Sequence, residues 1–120
     1  TLAGIMTKVV LFAFRPDPLC FLHTLLYAID LDENGMWGEI VVEGEATRLI
    51  PEMARPDHFL HGFYLKAKDR GMIYGACRAC ATKMGVAEAI AAEGIPLIGD
   101  NHGHPSMATF IKQDYSIITL

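Results

Sequence analysis

Short apolar runs alternate with helix-patterned segments along the whole chain, and this alternation constrains the fold more than any other feature. Lys8 to Phe14 (KVVLFAF) is a continuous apolar run, as expected of a strand buried on both faces of a parallel sheet. Arg15-Pro16-Asp17-Pro18 stops it. Asp17 then reads as a helix N-cap with Pro18 at the first helical position. Leu19, Leu22, Leu25, Leu26 and Ile29 recur at helical spacing to about Leu31, and Asn34-Gly35 ends the segment. Trp37 to Glu43 reads as a second strand and Glu45 to Met53 as a short helix. Asp57 is expected to cap a further helix whose apolar face is Phe59, Leu60, Phe63, Tyr64 and Ala67. Met72 to Ala76 is a third strand, Cys80 to Glu93 one long helix, and Ile95 to Ile98 a fourth strand. Ser106 to Gln113 and Tyr115 to Leu120 supply a last helix and a fifth strand.

Strands that alternate with helices imply right-handed crossovers and a parallel sheet. The expected fold is therefore α/β: three layers, with a five-stranded parallel sheet and helices on both faces. No repeat, low-complexity tract or linker divides the chain, so residues 6–120 read as a single domain. The chain opens at Thr1 without Met, and Met6-Thr-Lys reads as the native start, which makes Thr1 to Ile5 a remnant outside it.

Composition excludes several function classes. A net charge of −4, with Lys and Arg scattered singly, offers no stripe for a phosphate backbone, so nucleic acid is not an expected partner. The longest apolar stretch, Pro18 to Leu31, is interrupted by His23 and Asp30 and falls short of a membrane span. Three cysteines and no cleavable leader do not make a secreted disulfide framework, and a reducing cytoplasm is the expected location. The apolar share of 52% is high for so short a chain and favours a covered subunit surface. No glycine-rich phosphate loop follows the first strand, so no cofactor is expected. Asp30-Leu-Asp32-Glu-Asn34-Gly35 opens like a calcium loop, but its twelfth position is Val41 and a strand follows, which rejects calcium.

In open parallel sheets, binding groups gather at the carboxyl ends of the strands. By that rule Arg15 and Asp17 follow the first strand, Cys77, Arg78 and Cys80 the third, and Asp100, Asn101, His102 and His104 the fourth. Cys77-Arg78-Ala79-Cys80 sits where a strand yields to a helix. Unpaired amides, the helix dipole and Arg78 would there favour thiolate over thiol. Asp100 or His102 could act as a base towards it. Cys20, among Leu19, Phe21 and Leu22, reads as core, and His58 and His61 as surface or interface residues. Cys77 and Cys80 with His102 and His104 are four zinc ligands of suitable type, although their spacings match no known zinc module and no metal is assigned.

The segment Met72 to Val86 (MIYGACRACATKMGV) resembles the cysteine segment of the DsrE/DsrF-like family, which includes TusD-type sulfur-relay subunits. An apolar strand runs into Cys77, Gly85 follows eight residues later, and Cys80 matches the second cysteine of many small members. Gly103-His-Pro-Ser-Met-Ala and Tyr115-Ser-Ile-Ile-Thr-Leu are similar to the family's last helix and terminal strand. The resemblance implies a flavodoxin- or Rossmann-related sheet and homo-oligomers such as trimers or hexamers. It also implies a cysteine-based sulfur carrier or sulfurtransferase, with a persulfide on Cys77, Cys80 assisting, and a protein sulfur donor or acceptor as partner. Two other readings stand beside it. One is a binding or assembly protein of the same fold whose Cys and His residues hold metal or pack. The other is a thiol–disulfide oxidoreductase, although Ala76 stands where an aromatic residue often precedes a thioredoxin-type pair.

Overall fold

A computed structural model describes residues 6–120. The expectation about Thr1 to Ile5 therefore lies outside the described residues. Five strands, β1 (Lys8–Ala13), β2 (Trp37–Val42), β3 (Ile73–Cys77), β4 (Leu97–Ile98) and β5 (Tyr115–Thr119), pair in the order β4-β3-β2-β1-β5. Every pairing is parallel. The expected α/β architecture is what the chain adopts.

The first helix, α1 (Pro18–Glu33), begins and ends where its punctuation requires. The Asp17 carboxylate accepts the Leu19 N–H at 2.8 Å, Pro18 occupies the first turn, and Asn34 closes the last. The buried face is offset from the leucine spacing. Phe21, Thr24, Leu25, Ala28 and Ile29 face inward, while Leu19 and Leu26 are exposed. The cause lies at Ala28, whose backbone sits against Gly38 of β2 so closely that a Cβ built on Gly38 would lie 2.7 Å from the Ala28 Cα. Only small residues permit that approach, and it fixes the rotation of the helix.

After β2 a 3₁₀ turn (Gly44–Arg48) leads into α2 (Leu49–Met53). The next helix, α3 (His61–Asp69), starts three residues later than expected. Asp57 pairs with Arg55 rather than capping, and His58 Nδ1 accepts the Leu60 N–H at 3.1 Å instead. Leu60, Tyr64 and Ala67 are buried there, but Phe59 and Phe63 are exposed. The helix expected over Cys80 to Glu93 is two, α4 (Arg78–Lys83) and α5 (Ala87–Ala92). Gly85 separates them at φ +73°, a left-handed conformation that stops a helix and that glycine adopts without a Cβ clash. The short α6 (Met107–Ile111) precedes β5, with the Ser106 hydroxyl as its cap.

The two faces of the sheet are unequally covered. Helices α1 to α5 enclose the main core with Leu11, Ala13, Ile40 and Val42. On the other face, α6 contributes Phe110 to a cluster with Val10, Phe12 and Val41. Phe110 meets Phe12, Tyr74 and Tyr115 edge-on, at centroid distances of 5.7, 4.9 and 5.2 Å. Three crossovers on one face, followed by a return to the outer side of β1, produce this asymmetry. Among the described residues no helix is long and apolar enough to cross a membrane.

Candidate functional site: a dithiol centre at the end of β3

Cys77 is both the last residue of β3 and the N-cap of α4. Its Sγ accepts the Cys80 N–H at 3.3 Å, so the chain turns about the sulfur as it would about a capping hydroxyl. The three-residue spacing brings Cys80 back over Cys77 on the first turn of the helix. The loop after β4 supplies the third member. Asn101 and His104 exchange backbone hydrogen bonds at 2.7 and 2.9 Å, and the Ala79 N–H donates to the Gly103 carbonyl at 2.9 Å, which ties the loop to the start of α4. His104 is thereby placed over both sulfurs. Its Nδ1 lies 3.1 Å from Cys77 Sγ and 3.8 Å from Cys80 Sγ.

Glu43, at the end of β2, completes the group. One donor atom each from Glu43, Cys77, Cys80 and His104 lies within 4.8 Å of the other three. Burial grades across them: Cys77 has no exposed surface and Glu43 retains 8%, while Cys80 is half-buried and His104 exposed. The centre is closed from below and open at the Cys80–His104 rim.

The electrostatics differ from the sequence expectation. Burial pushes the Cys77 thiol up to about 12, with the Cys80 side chain and the Glu43 charge adding to it. The Cys80 amide opposes this but is outweighed. The expected gathering of amides is reduced to that one, because the Ala79 N–H is already taken by Gly103. Arg78 adds nothing to the sulfur either, since its guanidinium donates to the Leu97 carbonyl at 3.1 Å. Burial also raises the Glu43 carboxyl, against the opposing pull of His104. Burial therefore favours the Cys77 thiol over the thiolate expected of a strand-to-helix junction.

The other sequence candidates have local roles. Asp100 accepts the Ser106 N–H at 3.0 Å and shapes the loop. Asn101 holds the bridge to His104, and its side-chain Oδ1 accepts from the His102 Nδ1–H at 3.1 Å. His102, at φ 52° and exposed, is not among the clustered donor groups, whose fourth member beside Cys77, Cys80 and His104 is Glu43. Asp17 is a helix cap. Arg15 lines a separate cleft of about 340 Å³ with Cys20, His23, Tyr27 and Thr119, where strand order reverses between β1 and β5. Cys20 is only partly buried, so its expected place in the core is corrected. Glu43 was missed although the strand-end rule selects it: it follows the apolar run of β2 at the same carboxyl edge as Cys77.

The chain is 33% identical over 106 residues to the uncharacterized protein MJ0733 of Methanocaldococcus jannaschii, an alignment that covers 88% of this chain and 84% of that one. It is also 41% identical over 44 residues to an uncharacterized protein of Archaeoglobus fulgidus, covering 37% of this chain and 70% of that one. No family model matches the chain, and no solved structure matches it.

Proposed function

The chain belongs to the same family as MJ0733 of Methanocaldococcus jannaschii, and we propose that this member is a sulfur carrier built on the Cys77–Cys80 pair. One observation carries the reading: a half-buried thiol and a fully buried thiol share the Nδ1 of one histidine, at 3.8 and 3.1 Å. The resemblance to DsrE/DsrF-like proteins supports it.

In this proposal the order of events follows from exposure. Cys80 is the thiol that a donor reaches, with His104 beside it to accept its proton. The Cys80 sulfur attacks the outer sulfur of a donor persulfide. The donor S–S bond breaks, a Cys80–S–SH bond forms, and the donor leaves as a thiolate that takes up a proton. An acceptor nucleophile then removes the outer sulfur and restores Cys80. Cys77 offers the competing route. Its sulfur can attack the inner sulfur of the persulfide, forming a Cys77–Cys80 disulfide and releasing hydrosulfide; a dithiol reductant is then needed to reset the pair. Keeping Cys77 protonated slows that discharge, which is what a carrier requires. This order reverses the sequence expectation, in which Cys77 led.

The test is a time course of intact mass after exposure of the reduced protein to a small-molecule persulfide. Wild type gains one sulfur, Cys80→Ser gains none, and Cys77→Ser holds its sulfur longer than wild type. Unchanged wild-type mass, or full loading of Cys80→Ser, overturns the proposal.

A further inference from the structure

We infer that Glu43, Cys77, Cys80 and His104 form a four-ligand site for a zinc-class divalent cation. The inference rests on the same thiol pair as the proposed sulfur chemistry but not on that chemistry being correct.

Zinc–sulfur and zinc–nitrogen bonds of about 2.0–2.3 Å at tetrahedral angles place donor atoms roughly 3.3–3.8 Å apart. The His104 Nδ1 lies 3.1 and 3.8 Å from the two sulfurs, and all four donors fall within 4.8 Å. Closing round an ion therefore takes side-chain adjustments of about an ångström, with no rebuilding of the backbone. The donor set of two thiolates, an imidazole and a carboxylate is of borderline softness, which suits zinc over calcium or magnesium.

Glu43 supplies an independent reason. It is more than nine-tenths buried, and no side chain or amide of a described residue donates a hydrogen bond to its carboxylate. Its oxygens keep contact with solvent, yet sulfur transfer gives this mostly buried carboxylate no cationic partner at bonding distance. A cation between it and the sulfurs supplies one. The same ion takes the place of the thiol protons, since thiolates are the ligating form. With four protein ligands and no open position, such an ion holds the β2, β3 and β4 ends together and masks both thiols. It is a closing device, not a catalyst.

Glu43 makes the inference separable from the sulfur reading. The full chain, reduced and stripped with a chelator, is titrated with zinc against a chromophoric chelator and separately with cobalt. Wild type is expected to bind one zinc per chain and to give cobalt the intense visible bands and thiolate charge-transfer absorption of a tetrahedral thiolate site. Glu43→Gln and His104→Ala should each weaken zinc at least about tenfold. His102→Ala should change nothing. Glu43→Gln should still take up one sulfur from a persulfide, as wild type does. Circular dichroism of Glu43→Gln checks that it folds, and Glu43→Asp is the second variant should it not, with affinity expected between wild type and His104→Ala. Absence of stoichiometric zinc binding, a weak octahedral cobalt spectrum, or binding indifferent to Glu43 overturns the inference. Sulfur loading without zinc binding defeats the metal site alone, and zinc binding without sulfur loading defeats the carrier alone.

Discussion

Removing the hydroxyl of Tyr64 tests how the α3 side of the core is held, and the structure gives both its size and its pH dependence. The Tyr64 ring is completely buried, and its O–H donates to Glu93 Oε1 at 2.6 Å. Lys68 Nζ reaches the same oxygen at 3.1 Å. A hydrogen bond to a charged group contributes about 1.5–3 kcal/mol. The Glu93 side chain keeps 26% of its surface, so water can replace the lost donor, and phenylalanine leaves no orphaned group in the core. Tyr64→Phe is therefore expected near the lower end, at about 1–2 kcal/mol, or a fall in Tm of roughly 4–10 °C. The hydrogen bond from Tyr64 lowers the Glu93 carboxyl below its ordinary 4.5, and burial beside Glu93 raises the Tyr64 phenol, which stays protonated throughout. A carboxyl with a lowered folded pKa stabilises the protein above its unfolded pKa and loses that contribution as pH falls through the folded value. The difference between wild type and Tyr64→Phe should accordingly be full at neutral pH and shrink as pH drops below about 4.5. Urea denaturation of both proteins across that range measures it, with unchanged slopes confirming a two-state comparison. A difference that does not vary with pH, or one below about 0.3 kcal/mol at neutral pH, refutes the reasoning.

Three further outcomes follow from the packing and the site. Gly38→Ala forces a methyl against the α1 backbone at Ala28 and should cost about 1–3 kcal/mol, whereas Gly62→Ala, in a helix with nothing within 4 Å of the added carbon, should gain about 0.5–1 kcal/mol; thermal melts of the pair check both signs. Asp17→Ala removes the cap on α1 and should cost about 1 kcal/mol by urea denaturation, with Asp17→Asn close to wild type. Brief alkylation of the folded, metal-free protein at mildly alkaline pH, read by peptide mapping, should modify Cys80 and Cys20 and spare Cys77 until the chain is unfolded, because Cys77 is sealed and its thiol is raised to about 12.

The parts of the fold that were legible in the sequence are those set by local chemistry. The Asp17-Pro18 start and Asn34-Gly35 end of α1 needed only capping and turn rules, and the apolar runs of β1 and β2 needed only burial on both faces. What was not legible depended on distant partners. Leucine spacing on α1 pointed to the wrong rotation because the approach of Ala28 to Gly38 decides it. Asp57 looked like a cap, yet His58 reached the Leu60 amide instead. Gly85 divides a segment whose apolar residues alone suggest one helix. At the site, strand-end reasoning found Cys77, Cys80 and His104, but the choice of His104 over His102 depends on the Asn101–His104 bridge. Glu43 satisfies the same strand-end rule, but its closeness to the sulfurs comes from the register of β2 on β3. The ionisation of Cys77 was misread for a related reason: motif position counts amides, while burial is a property of the assembled core.

The most direct test locates the sulfur itself. After the reduced protein has met a persulfide donor, alkylation that preserves persulfides, followed by peptide mass spectrometry, reports which cysteine carries the added atom. The account predicts that it resides on Cys80, with Cys77 free or joined to Cys80 in a disulfide at longer times. Sulfur found on Cys77 or Cys20 with Cys80 unmodified, or on no cysteine at all, would contradict it.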